Sequence, residues 1–262
     1  MKILISNDDG YQAPGIVALH DAVKTLDGVE VEVVAPEHNN SAKSNALTLH
    51  SPLYVHKAAN GFRYVNGTPA DCVHIALTGL LGYRPDLVVS GINNGANMGD
   101  DTIYSGTVGA AMEGFLFGIP AMAVSQVDKG WGEIEAAAHK TREIVAQMMA
   151  QNLVAEAPWL LNINIPNMPL QALRPLKLCR LGRRHAAERV IVQESPRGDV
   201  MYWIGGAGAA KDEAEGTDFH ATAQGHVSVT PLKVDLTDHD NLGYWAQTAS
   251  RLVTAGSVAQ QR

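Results

Sequence analysis

Two adjacent carboxylates near the start of the chain are the residues best suited by type to do chemistry. Asp8 and Asp9 follow the apolar residues 3–5 in the stretch ISNDDGYQAPG. Like charges side by side repel each other and are costly to remove from water. A divalent cation would offset them, and carboxylate, amide and hydroxyl oxygens suit Mg²⁺ or Mn²⁺ better than zinc. The alternative is a solvated turn with a helix-capping aspartate, because Asp-Gly pairs are common in turns.

Further oxygen donors follow other predicted strands. Ser41 lies in APEHNNSAKSN, whereas Asn93 and Asn97 lie in SGINNGANMGDD. Ligands of open parallel sheets bind beyond the carboxyl ends of the strands, so we expect these side chains near the two aspartates. The same rule selects the loop after AMAVSQ, residues 121–126. A tight loop is the alternative for the Asn/Gly cluster, since asparagine tolerates left-handed backbone angles.

The stretch YSGTVGAAMEG, residues 104–114, has the composition of a helix start that binds phosphate. A helix N-terminus presents unpaired N–H groups and a partial positive charge. Gly106 would let a ligand approach the backbone closely, and the hydroxyls of Ser105 and Thr107 would add donors. An ordinary Ser/Thr helix cap is the alternative.

Short apolar strands alternate with helical patterns along the first two thirds of the chain. Strands are predicted over residues 1–6, 29–36, 86–91, 121–127 and 159–166, and helices over 15–26, 71–81, 106–118 and 131–151. This alternation is typical of an α/β fold, a mostly parallel sheet with helices on both faces. Beyond about residue 180, the pattern predicts a hairpin that turns near 196–199, a strand over 226–234 and a terminal helix. Such appendages commonly serve oligomerisation.

Composition and absent motifs limit the class of protein. The 262 residues carry a formal net charge of -7, which argues against binding of a nucleic-acid polymer. No run reaches the ~18 apolar residues of a membrane span. Cys72 and Cys179 fit no metal or disulfide pattern, so we expect reduced, buried thiols. No signal-peptide pattern is present, so a cytoplasmic protein is expected. The dinucleotide GxGxxG after strand one, the P-loop and the GxSxG elbow are also missing.

Eight segments in order resemble one family. They are ILISNDDGYQAPG, VVAPEHNNSAKSN, NGTPADCV, VVSGINNGANMGDDTIYSGTVGAAMEG, LLNINIP, YWIG, GTDF and VSVTPLKVDLT. Together they resemble the SurE (stationary-phase survival protein) family of metal-dependent nucleotidases, over nearly the whole chain. The long Asn/Asp/Ser-Gly-Thr block is the most specific of them.

The resemblance implies a Rossmann-like three-layer core over residues 1–185. Residues 186–262 would supply a hairpin, a returning strand and a terminal helix, which assemble a homodimer or homotetramer. The implied activity is hydrolysis of nucleoside 5'- and 3'-monophosphates, with short-chain polyphosphate as a possible further substrate. The implied cofactor is one divalent cation per subunit, Mg²⁺ or Mn²⁺.

The resemblance also assigns residues. Asp8 and Asp9 would be catalytic and would hold the metal together with Ser41 and Asn93. The phosphate-binding residues it implies are Asn97, Ser105, Gly106 and Thr107. The family often has a basic residue just before the metal serine, where this chain has Asn40. Lys43 is the nearest candidate to replace that charge.

Other functions compete with the nucleotidase. A non-catalytic nucleotide sensor would keep the phosphate turn but would not need both aspartates. A phosphatase with an aspartyl-phosphate intermediate usually spaces its acids as DxD, whereas Asp8 and Asp9 are adjacent. Within the nucleotidase hypothesis, an activated water is favoured as the nucleophile over direct attack by an aspartate.

Overall fold

The structure is a computed structural model that describes residues 1–155, 157–184 and 189–249. It divides into two compact units, Met1–Leu232 and Lys233–Arg262. The division of the chain at residue 185 stays a prediction, and that boundary lies outside the described residues. The end of the predicted terminal helix, with Leu252, also lies outside them.

The first unit alternates strands and helices in the predicted order. Its strands are β1 Lys2–Ser6, β2 Glu30–Pro36, β3 Val55–Lys57, β4 Arg63–Val65, β5 Leu87–Asn94, β6 Ala121–Gln126, β7 Leu160–Ile165, β8 Arg174–Leu178, β9 Ile191–Glu194, β10 Val200–Trp203 and β11 His226–Pro231. Its α-helices are α1 Pro14–Val23, α2 Pro69–Ile75, α3 Gly106–Leu116, α4 Ile134–Ala150 and α5 Asp218–Ala223. A π-helical turn over Ala76–Leu80 extends α2, and a 3₁₀ turn over Gly99–Ile103 precedes α3.

Nine strands of the described residues form one sheet, in the order β3-β4-β2-β1-β5-β6-β7-β11-β8. The six strands from β4 to β7 in this order pair in parallel. β3 pairs antiparallel with β4, and β11 pairs antiparallel with β7. The prediction of an α/β fold with a mostly parallel sheet is therefore confirmed. Parallel pairing brings the carboxyl ends of β1, β2, β5 and β6 to one edge.

Alternate residues of the central strands face two helical layers. Ile3 and Ile5 of β1 belong to the core cluster that contains residues of α1 and α4. On the other face α3 packs closely, because a Cβ on Gly114 would lie 2.7 Å from a methyl carbon of Val88. This arrangement of a sheet between two helical layers is the predicted three-layer core.

β5 is longer than the predicted strand and carries a local irregularity. Its pairing with β6 shifts between Ser90 and Asn93. Gly91 there has φ 142°, and a Cβ on it would lie 2.3 Å from the carbonyl oxygen of Val124. Only glycine fits this position. Beyond the irregularity the strand resumes, and Asn93 pairs with Ser125 at the sheet edge.

Short elements were missed by the sequence patterns. β3, β4, β8 and α5 have three to six residues each, too few to show a period. The hairpin of β9 and β10 was predicted, and its turn lies where expected. The second unit contains a 3₁₀ turn, His239–Asn241, and helical residues 242–249.

Two further expectations concern cysteine and membranes. Cys72 and Cys179 are buried free thiols, as predicted. Within the described ranges, no helix has the length and apolar character needed to cross a bilayer.

Candidate metal and phosphate site

A cavity of about 540 Å³ opens at the carboxyl edge of the parallel strands. Residues that follow five strands, β1, β2, β5, β6 and β8, line it together with the start of α3. Five of the eight predicted site residues are among them: Asp8, Ser41, Asn93, Asn97 and Ser105. The other three, Asp9, Gly106 and Thr107, lie within two positions of a lining residue in the chain. The fold thus brings together side chains that are up to 97 positions apart in the chain, from Asp8 to Ser105.

Asp8 is a buried carboxylate at the floor of this cavity, 4% exposed. Burial raises its pKa to about 6, and the neighbouring charge of Asp9 acts in the same direction. The Thr107 hydroxyl opposes this shift, because it donates a hydrogen bond of 2.5 Å to Asp8 Oδ1. The chain thus holds a charge in a position where its own environment disfavours it.

The start of α3 packs directly against Asp8. A Cβ on Gly106 would lie 2.8 Å from Asp8 Cβ and 3.1 Å from Pro69 Cγ, so glycine is required for this approach. Thr107 donates its hydroxyl hydrogen to Asp8, and its backbone N–H is a second donor to the same carboxylate. Ser105 caps the helix by accepting from the Val108 N–H at 3.1 Å. Asp8 thus occupies the space beside Gly106. The phosphate-binding role of this turn remains a prediction.

Asp9 is held by two asparagines that the sequence patterns did not single out. Its carboxylate accepts the backbone N–H of Asn94 at 3.0 Å and the Asn39 side-chain amide at 3.0 Å. Burial nevertheless raises the pKa of Asp9. Asn39 also accepts the backbone N–H of Ser41 at 2.7 Å, so one side chain links two predicted metal ligands. The position of Asn39, two residues before Ser41, was the one feature of the sequence that could have indicated this role.

The side-chain amides of Asn93 and Asn97 each donate one hydrogen bond within the protein. Asn93 Nδ2 donates to the carbonyl of Gly95 at 2.8 Å, which fixes the side chain at the cavity wall. Asn97 Nδ2 donates to Ser125 Oγ at 2.8 Å, and the Asn97 backbone is bound by side chains of β7, among them Asn164. Asn97 is therefore rigidly placed, with one amide hydrogen already used.

Two basic side chains also line the cavity, and the sequence patterns missed both. Arg184 forms an ion pair with Asp101, with 2.8 Å between Nε and Oδ2. Lys129 lies in the loop after β6. The strand-end rule predicts that this loop borders the site, but the loop contains no recognised motif. Lys43, the candidate to replace a basic residue at Asn40, lines a separate cavity.

Asp218 joins the two loops that carry the Asp101–Arg184 pair. Its fully buried carboxylate accepts the N–H groups of Gly99 and Gly182, each at 2.8 Å. This aspartate belongs to the GTDF segment, so the segment positions one wall of the cavity.

The donor set fits a small divalent cation. Asp8, Ser41 and Asn93 present carboxylate, hydroxyl and amide oxygens to one cavity, and Asp9 adds a second carboxylate beside them. Neither aspartate forms an ion pair with a lysine or arginine of the described chain. Among all residues that the structure describes, no group of three or more His, Cys, Asp or Glu side chains is arranged to hold a metal. Burial disfavours the charged forms of Asp8 and Asp9. Two such carboxylates with neutral oxygen donors beside them suit Mg²⁺ or Mn²⁺ better than zinc.

The fold and the site define a Rossmann-like α/β protein with an oxygen-lined cavity at its strand ends. The family model described as "Survival protein SurE" matches residues 3–188, so the chain belongs to the SurE family. A protein of Albidiferax ferrireducens named 5'-nucleotidase SurE is 74% identical, over 97% of this chain and all of that protein. One of the same name from Variovorax paradoxus is 73% identical, over 96% and 99%. The crystal structure of the SurE protein from Aquifex aeolicus matches with TM-score 0.79 and 41% identity, over 93% and 98% of the two chains.

Proposed function

We propose that this protein is a divalent-metal-dependent phosphomonoesterase that hydrolyses nucleoside 5'-monophosphates. The observation that carries the proposal is the pair Asp8 and Asp9 beside the start of α3, one buried and one half-buried, with no ion pair to a lysine or arginine of the described chain. The names of the relatives support the substrate class. Asp8, Asp9, Ser41 and Asn93 would hold Mg²⁺ or Mn²⁺. When bound there, the cation would offset phosphate charge and activate a water for attack.

The chain's own residues would bind and orient the phosphate. The start of α3 carries a partial positive charge that favours a phosphate, and Ser105 can donate its hydroxyl hydrogen. Thr107 and Gly106 fix Asp8 at this helix start. Asn97 would contribute its remaining amide hydrogen. A phosphate in the cavity would thus lie between the carboxylate pair and a ring of fixed donors.

We further propose activity on nucleoside 3'-monophosphates and short-chain polyphosphate. The support is the open cavity of about 540 Å³, which is large enough for a ligand bound in more than one orientation. The acidic net charge of -7 disfavours a nucleic-acid polymer as partner. The proposed compartment is the cytoplasm, which the absence of a disulfide between the buried cysteines supports.

Assembly into a homodimer or homotetramer is also proposed. Both faces of the β9–β10 hairpin carry exposed apolar side chains. They are Val190, Ile191, Val192, Val200, Tyr202, Trp203 and Ile204. An isolated two-stranded hairpin is marginal in water, and a second copy that covers it would stabilise it.

Phosphate release tests the proposed activity. The protein should release phosphate from adenosine 5'-monophosphate with Mn²⁺, more slowly from the 3'-isomer and from tripolyphosphate. A nucleotide sensor would bind the same nucleotides and release none. A trapped phosphoenzyme would support the aspartyl-phosphate mechanism instead.

A further inference from the structure

Lys129 differs from the other basic residue of the cavity in its pairing. The charge of Arg184 is compensated by its ion pair with Asp101. Lys129 forms no ion pair within the described part of the chain, although the neighbouring Asp128 also lines the cavity. The cavity therefore holds a lysine with no direct acidic partner there.

The loop that carries Lys129 has a strained backbone. Asp128 has φ 66° and Trp131 has φ 61°, both in the left-handed region that side chains disfavour. Gly130 between them has φ 127°. Strain of this kind persists only where the surrounding structure enforces it, and it concentrates at functional sites.

Two contacts hold this loop against the site. The Gly130 N–H donates to Asn94 Oδ1 at 2.8 Å, and the backbone N–H of the same asparagine binds Asp9. Trp131 packs at the start of α1, because a Cβ on Gly15 would lie 2.8 Å from its Cζ3 atom. The position of the loop is therefore fixed relative to the carboxylate pair.

The Lys129 side chain lies along Gly95. A Cβ on Gly95 would lie 3.5 Å from Lys129 Cγ and 3.6 Å from its Cε. Gly95 is next but one to Asn93, whose amide binds the Gly95 carbonyl. The lysine also lowers the pKa of Asp9 through its charge, so its ammonium group is within electrostatic reach of the predicted metal ligands.

A phosphate monoester carries about -1.5 to -2 charges at neutral pH. In a cavity next to the carboxylates of Asp8 and Asp9, a lysine that forms no ion pair in the described chain is the side chain suited to attract it. We propose that Lys129 is a substrate-binding residue, whose ammonium group pairs with the phosphate and holds it against the carboxylate pair. This inference rests on the proposed function and adds a residue that determines its preference for charged substrates.

Kinetics of Lys129→Met and Lys129→Arg, with Mn²⁺ saturating, test the inference. Inorganic phosphate and adenosine serve as competing inhibitors, one charged and one neutral. In Lys129→Met, the KM for adenosine 5'-monophosphate and the inhibition constant of phosphate should both rise about 10-fold, while that of adenosine stays within 2-fold. Lys129→Arg should recover most of the loss because it keeps the charge. Lys57→Met, on the exposed edge strand β3, is the control and should behave as wild type.

Phosphate inhibition within 2-fold of wild type in Lys129→Met would overturn the inference. Equal weakening of phosphate and adenosine would also overturn it, because it would indicate a distorted cavity rather than a lost charge. If the wild type hydrolyses no nucleotide, the proposed function fails separately. In that case calorimetry with inorganic phosphate decides, and Lys129→Met must still weaken phosphate binding about 10-fold.

Discussion

Asp8 and Asp9 are neighbours in the chain but lie in different environments. Asp8 is buried against the start of α3, whereas Asp9 is half-buried and held by two asparagines. Burial raises the pKa of both, so at neutral pH each charged form is less favourable in the folded protein than in the unfolded chain. A bound cation reverses this balance. The two charged side chains therefore lower the stability of the metal-free protein, and they favour binding of a cation.

Asp8→Asn and Asp9→Asn should each reduce hydrolysis by about 100-fold or more, because each removes a charged side chain from the proposed metal site. For Asp8→Asn, the unfolding free energy without metal should equal or exceed that of wild type, since a disfavoured charge is removed. Steady-state rates at saturating Mn²⁺ and urea unfolding measure the two effects. Asp27→Asn, in an exposed turn, is the matched control. Near wild-type activity in either site variant would show that the metal ligands are misassigned.

Gly106→Ala should lower kcat/KM about 10-fold or more and should also weaken Mn²⁺ binding. The added Cβ would lie 2.8 Å from Asp8 Cβ, so it would displace a proposed metal ligand. The proposed metal ligands lie outside α3, so the sequence alone predicts that Gly106→Ala leaves the metal affinity unchanged. The contact between Gly106 and Asp8 reverses that expectation. Kinetics and Mn²⁺ calorimetry measure both effects. Gly79→Ala, with no atom within 4 Å of the added Cβ, should change neither. Unchanged kinetics in Gly106→Ala would remove this turn from the active site.

At the scale of elements, the site depends on loops that are tied to one another by buried polar groups. Asp218, at the start of α5, joins the loop before α3 to the loop after β8. α5 has six residues and shows no helical period, so no sequence pattern connects it with the site. Its contribution is the carboxylate at its first position, which accepts N–H groups from both loops.

Asp218→Asn should lower the unfolding free energy by about 2 kcal/mol or more. The amide nitrogen would face a backbone N–H, and the buried donor left without an acceptor costs ~1–3 kcal/mol. The KM for nucleotide should rise as the Arg184 wall loosens. Urea unfolding and steady-state kinetics measure these effects, with Asp199→Asn in the exposed hairpin turn as control. Unfolding free energies that agree between Asp218→Asn and wild type would contradict the role of this clamp.

At the scale of the whole molecule, the β9–β10 hairpin exposes apolar side chains on both faces. Val192 is paired with Tyr202, and Ile191 with Trp203, so each pair occupies one face. A monomer would leave both faces in water.

Light scattering at micromolar concentration should therefore give a dimer or larger assembly. Replacing Tyr202 and Trp203 together with serine should shift the mass toward the monomer, because it removes the largest apolar groups from both faces. Replacing the exposed Leu49, which is outside residues 186–262, with serine is the control. A wild-type protein that scatters as a monomer would contradict the proposed assembly.

Long periodic elements were predictable from sequence, whereas contacts across the fold were not. Strands β1, β2, β5, β6 and β7 and helices α1, α3 and α4 follow from apolar patterns of the right period. The strand-end rule also indicated that Asp8, Ser41 and Asn93 would meet, and they line one cavity. The contact of Gly106 with Asp8 joins residues 98 positions apart and depends on how α3 packs, which no local pattern encodes. The same holds for Lys129 and Asp218.

The central claim is that hydrolysis depends on a divalent cation held by Asp8 and Asp9. The most direct measurement is the rate of phosphate release from adenosine 5'-monophosphate by EDTA-stripped protein during titration with Mn²⁺. We predict a rate near zero without metal and saturation at one Mn²⁺ per subunit, with no recovery in Asp8→Asn at the same Mn²⁺ concentrations. A stripped wild-type protein that hydrolyses the nucleotide at its full rate, or an Asp8→Asn variant that Mn²⁺ activates like wild type, would contradict the account.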